Sequence, residues 1–132
     1  MKNISTSLSW GARIIAALIM LQTLYFKFTA NPESVEIFSM IGMEPWGRIS
    51  VGILELVAAV LLIINATVWL GALLSAGLMA GAVVMHLTLL GIEVQGDGGY
   101  LFFLSVVVMA CSLWLIVLNM ARIRLFISGV TK

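Results

Sequence analysis

Charge is scarce in this sequence. Seven Lys and Arg and six Asp and Glu make up 10% of 132 residues, leaving a net charge of +1. A soluble domain commonly carries about 25%. There is neither a basic run nor an acidic tail, so nucleic acid has no electrostatic footprint to meet. Cysteine occurs once, as Cys111, which excludes an internal disulfide, a CxxC redox pair and a thiolate metal site. Its setting, VVVMACSLWLIVL, marks it as a small packing residue. Histidine also occurs once. One copy of the chain therefore cannot give a haem both axial ligands, and metal-ligand spacing is missing. Neither a metal site nor an intrinsic cofactor is expected.

What the chain has instead is apolar bulk: 62% of it is hydrophobic, with a mean hydropathy of +1.17. So small a globule cannot bury that surplus, so its surface must be apolar and its solvent lipid. A spanning helix needs roughly 20 mostly apolar residues. Four segments qualify, at about 8–28, 46–64, 69–91 and 100–121. The breaks NATV and IEVQGDGG are short, which makes consecutive spans antiparallel neighbours. The expected fold is an all-α membrane protein, a single antiparallel four-helix transmembrane bundle over 1–132. The first connection, ANPESVEIFSMIGMEPW, is longer and too polar to span. Pro32 with Glu33 and Glu36 reads as a helix start. Val35, Ile37, Phe38, Met40 and Ile41 supply an oily side, so a short interfacial helix is expected between spans one and two. The first span follows Lys2 like a signal peptide, but KFTANPE lacks a small-x-small cleavage pattern and the segment is expected to be retained.

Orientation follows from basic residues. Lys2, Arg13, Arg122, Arg124 and Lys132 lie toward one end. The opposite loops hold Glu33, Glu36, Glu44, Glu93 and Asp97, with Lys27 and Arg48 at their borders. A multi-pass cell-membrane protein with both termini cytoplasmic is expected. The sequon Asn65-Ala66-Thr67 then lies on the cytoplasmic side and is disregarded. Trp10 and Trp69 fall near the inner boundary and Trp46 and Tyr100 near the outer one, while Trp114 is deeper and reads as packing. The third span is rich in small residues on all sides, as expected of a central helix. Its Gly77 and Gly81 form a GxxxG, a close helix contact made within the chain or with a second copy.

Ionisable groups inside a bilayer cost on the order of 2.5–3.5 kcal/mol at a helix centre, so they face a bundle interior. Four stand out: Arg13, Lys27, Glu55 and His86. Counting from Trp46, Glu55 lies roughly 13 Å below the outer boundary; counting back from Gly91, His86 lies roughly 8 Å below it. Lys27 closes the first span on the same side. Helical stripes agree with an inward cluster: Gly52, Glu55 and Ala59; Ser75, Met79, Ala82 and His86; Arg13, Ala17, Met20, Leu24 and Lys27. Ser105, Ser112 and Asn119 repeat every seven as a polar seam. Each residue also has a plain reading. Lys27 snorkels to headgroups, Arg13 does so on the inner side, and His86 is a hydrogen-bonded packing residue. Glu55 is hardest to dismiss, because a carboxylate at that depth is paired or protonated. Two readings stay open for it: half of a structural pair with Lys27 or His86, or a site for a ligand or proton.

These residues in this order resemble the DoxX family of small four-span membrane proteins. The arginine and lysine bracket the first span in ARIIAALIMLQTLYFKF; a G-x-x-E follows in GILELVAAVLLI, an A-x-x-x-H in AGAVVMHL, and a glycine-rich stretch in QGDGGYLFF. Leu24 and Tyr25 depart from the small residue the family pattern has before the lysine. The resemblance implies membrane complexes linked to quinone-dependent sulfur oxidation or to oxidative and thiol stress, with other membrane or redox proteins as partners. Three functions are compatible with the residues. The first is a non-catalytic or accessory subunit of such a complex. The second is a quinone-binding oxidoreductase subunit in which Glu55 and His86 handle protons. The third is a small proton-coupled transporter, although four-span multidrug transporters keep their key glutamate in the first span, which here has none.

Overall fold

In lipid the backbone finds no water to bond, so each apolar run satisfies its own N–H and C=O groups as a helix. The computed structural model describes residues 2–94 and 96–130, and side chains over 6–94 and 96–129. Among them are six helices and no strand: α1 (Lys2–Phe28), α2 (Pro32–Met40), α3 (Trp46–Ile63), α4 (Val68–Met85), α5 (Tyr100–Leu118) and α6 (Met120–Val130). α4 runs on through a wider π turn, His86–Leu90. Four segments are long and apolar enough to cross a bilayer: Thr6–Phe28, Trp46–Ile63, Val68–Leu90 and Tyr100–Leu118. The end of the fourth span, expected near 121, shifts. The fourth span stops at Leu118, where Asn119 turns its side chain back and donates Nδ2 to the Leu115 carbonyl at 2.8 Å. Such local bonds compete with helix continuation. A separate helix, α6, follows it.

The spans form a ring in which α1 and α4 each pack against both α3 and α5. The third span is therefore one corner of the ring and not its centre. Lipid tails are as apolar as leucine, so helices are drawn together by close packing instead. The interior is accordingly built from small residues: Ala16, Ala58, Ala72, Ser75 and Ser112 are all fully buried. Ser75 and Ser112 donate to the carbonyls of Gly71 and Val108, both at 2.7 Å, so the seam of hydroxyls is satisfied within its own helices. Large side chains such as Leu18, Val60, Leu87 and Phe103 point outward. Trp114 joins them; at 42% exposed it does not pack in the core.

α2 starts as its sequence dictates: Asn31 caps it by accepting from the Glu33 N–H at 3.0 Å, and Pro32 takes the first helical position. Its apolar side, with Phe38 buried, covers the end of the bundle where the acidic loops lie. At the opposite end Arg13 is buried and does not snorkel. Its guanidinium donates to the carbonyls of Leu62 and Ile63 and to Asn65 Oδ1, capping the orphan carbonyls of α3. The side chains of Lys2 and Lys132 lie outside the described residues.

Candidate functional site

Beneath α2, in the half of the bundle that this helix covers, lies a cavity of about 550 Å³. Its walls come from α1, α2, α3, α4 and α5 and are mostly apolar, with Met20, Phe38, Met79 and Val108 among them. Volumes of roughly 300–1,000 Å³, apolar with a few placed polar groups, are those of small-molecule sites. Its polar lining includes Lys27, Glu55, His86, Asp97 and Thr23, with Glu33 from α2.

Glu55 sits one turn below Gly52 on the inward face of α3 and is 4% exposed. Lys27, at the last turn of α1, reaches it with Nζ 3.0 Å from Oε2. Thr23, one turn earlier on the same face of α1, has Oγ1 2.9 Å from the Met20 carbonyl and 3.3 Å from Glu55 Oε2. A hydroxyl has one proton, so these two bonds alternate. Small residues allow this approach. A Cβ added at Gly52 would stand 2.8 Å from the Phe28 ring, so glycine lets the end of α1 lie against α3. Arg48 fixes that end from above: it donates to the Lys27 carbonyl and holds Glu44 through Nε and Nη2 at 3.0 Å.

His86 opens the π turn and is buried. Its Nδ1 donates to the Gly91 carbonyl at 2.9 Å, and Phe102 meets the ring edge-on at 5.6 Å. A carbonyl only accepts, so Nδ1 carries a proton and Nε2 is the nitrogen left for another partner. Asp97 tops the cavity from the loop before α5. Its Oδ1 accepts from Val94 N–H at 3.0 Å and Gly99 N–H at 2.8 Å, and its Oδ2 from Leu101 N–H at 3.2 Å. Burial alone would raise this carboxyl; the three N–H donors, aided by the His86 ring, outweigh it and hold the group below its ordinary value. The loop closes this tightly because Gly96, Gly98 and Gly99 all take positive φ, between 68° and 86°, where a side chain is strained.

The structure thus brings Lys27 and Glu55 into contact and sets His86 on the same cavity, bonded to Gly91. Arg13 lies apart, at the opposite end of the bundle. The close helix contact expected at Gly77 and Gly81 is not made within this chain. It falls at Gly71, where a Cβ would come within 2.8 Å of the Leu62 main-chain nitrogen, whereas one at Gly77 or Gly81 would meet nothing within 4 Å. α4 closes on α3 at its inner end and lends Gly77 and Gly81 to the cavity wall further out. Thr23, Arg48 and the capping role of Asp97 were not singled out from sequence. The signals present were the four-residue spacings Thr23–Lys27 and Glu44–Arg48, and an aspartate set among glycines.

Four apolar spans around a partly polar cavity define a multi-pass integral membrane protein. The motifs of its first three spans point further, and residues 12–114 match the DoxX-like family over their whole length. The chain belongs to that family, and the match takes in Arg13, Lys27, Glu55 and His86. No curated protein and no solved structure matches it.

Proposed function

We propose that this protein is the membrane-embedded, ligand-holding subunit of an oxidoreductase-linked complex, and that its cavity receives the head of a lipid-soluble molecule of the quinone class. The cavity under α2 carries the reading: about 550 Å³, apolar walls, and an ion pair with a neighbouring histidine. The donor set fits such a head, whose ring oxygens only accept. Lys27 presents an ammonium with three N–H donors, one of them directed at Glu55, while His86 Nε2 is left to accept from the hydroxyl that the head carries once reduced. A quinone, when bound, supplies two-electron, two-proton chemistry. This chain's residues bind and orient the head, exclude water beneath α2, and hold protons at Glu55 Oε2 and His86 Nε2. Electrons come from a redox partner in the complex. Both termini are cytoplasmic in this reading, supported by Arg13, Arg122 and Arg124 at one end of the bundle.

Protein purified in mild detergent is extracted with organic solvent, and the extract is examined for quinones. The emptied protein is then titrated with decylubiquinone while tryptophan fluorescence is followed. Saturable binding is expected, with Glu55→Gln folded but binding at least about tenfold more weakly, a loss of about 1.4 kcal/mol. No saturable binding to the unaltered protein, or equal binding by Glu55→Gln, overturns the proposal.

A further inference from the structure

At the inner end a second recess, of about 300 Å³, opens where α1 passes the turn between α3 and α4 and the joint between α5 and α6. Two guanidinium groups line it and converge on one residue. Arg13 Nη1 donates to Asn65 Oδ1 at 2.8 Å, and Arg122 Nη1 donates to the Asn65 carbonyl at 2.9 Å. Arg122 also reaches the Ala66 carbonyl at 3.0 Å through Nη2 and Asn119 Oδ1 at 3.4 Å through Nη1. Arg13 is only 3% exposed, and the Trp10 ring covers its face with Cζ 3.6 Å from the centroid. Thr6, Ser9 and Asn119 complete the recess.

All of its partners named so far are neutral. The six acidic residues of the chain are Glu33, Glu36, Glu44, Glu55, Glu93 and Asp97, and none of them lines this recess. Two fixed cations are therefore held side by side without a carboxylate. The carbonyl end of α3 offsets about half a charge, which leaves a net positive recess. Each guanidinium has five N–H donors, and the bonds above use three on each. Forked donors of this kind match tetrahedral oxyanions. The recess also lies where the spans starting at Thr6 and Val68 and the one ending at Leu118 meet the bilayer boundary, the level of lipid phosphates.

We infer that the inner recess binds a phosphate-class oxyanion between Arg13 and Arg122, with the hydroxyls of Thr6 and Ser9 as further donors. The group is presented either by a phospholipid head or by free phosphate. The site is separate from the outer cavity and stands without the function proposed for it.

The test is melting of delipidated protein in dodecyl maltoside. The additives are phosphatidylglycerol, inorganic phosphate, and a galactosyl diacylglycerol of matched chains without phosphorus. A saturable rise in melting temperature with phosphatidylglycerol but not with phosphate assigns the site to a lipid head. A rise with both assigns it to the free oxyanion as well. Each shift is read against the variant's own baseline, and Arg122→Gln should weaken the apparent affinity at least tenfold, with Arg122→Lys between the two. Equal stabilisation by the galactolipid, no rise with either phosphorus compound, or an undiminished response in Arg122→Gln overturns the inference. Should Arg122→Gln fail to fold, ³¹P NMR of the unaltered protein decides. A phosphorus resonance that shifts or broadens saturably on adding protein supports the site, and an unchanged line sinks it.

Discussion

Lys27 and Glu55 illustrate how a charge survives inside a bilayer. Each is there because of the other, and the Thr23 hydroxyl adds a neutral donor to the same carboxylate oxygen. Removing one member of a buried pair costs about 3–5 kcal/mol, because the remaining charge is left uncompensated. Lys27→Met should therefore lower stability by that order, read from denaturation in mixed micelles. Adding Glu55→Gln to it should restore most of the loss, since the amide carries no charge. Unchanged stability in Lys27→Met would show that the pair does not form. Asp97 behaves differently, because its partners are backbone N–H groups. Its carboxyl is held below the ordinary value in the folded protein. Its contribution is thus complete above the ordinary carboxyl value and is lost as pH falls through the lowered one. Asp97→Asn should flatten the acid limb of the melting profile below about pH 4 and destabilise the 91–99 loop at neutral pH. An acid limb identical to that of the unaltered protein would refute the assignment.

Among the elements, α4 separates two uses of glycine. Gly71 is a contact residue: Gly71→Ala forces a methyl against the α3 backbone, and overpacking of this kind costs about 1–3 kcal/mol. Gly81→Leu meets open space and should melt like the unaltered protein while reducing ligand capacity of the outer cavity. The reverse ranking of the two melting temperatures would contradict this division, and altered migration of Gly81→Leu alone would place the GxxxG between two copies. Sequence periodicity identified the four spans and α2, because apolar run length and a proline followed by acids at a helix start are local signals. It located the inward stripes of Glu55 and of Lys27 for the same reason. It did not separate Gly71 from Gly77 and Gly81, since small residues surround α4 and the spreading of two helices is a tertiary fact. α6 escaped because its start depends on one asparagine side chain folding back on Leu115. For Arg13 the inward stripe and the snorkelling reading stay equal on sequence alone, because a capping arginine and a snorkelling one look alike until the acceptor is known.

For the whole molecule, charge is segregated by end. Acidic loops and α2 close one face, and Arg13 and Arg122 meet at the other. A reporter active only in the cytoplasm should therefore work when fused after Lys132 and stay silent when inserted within 96–99. Activity at the second position and not at the first would invert the orientation and place the cavity under α2 on the cytoplasmic side.

The bonds of Arg13 also impose a timetable. Its acceptors, at Leu62, Ile63 and Asn65, lie 49, 50 and 52 residues further along the chain. At roughly 5–20 residues per second of synthesis, they emerge about 2.5–10 seconds after the arginine does. During that interval the guanidinium is without its α3 acceptors. Only the arrival of α3 supplies them, so Arg13 can lock the two helices together no earlier than that.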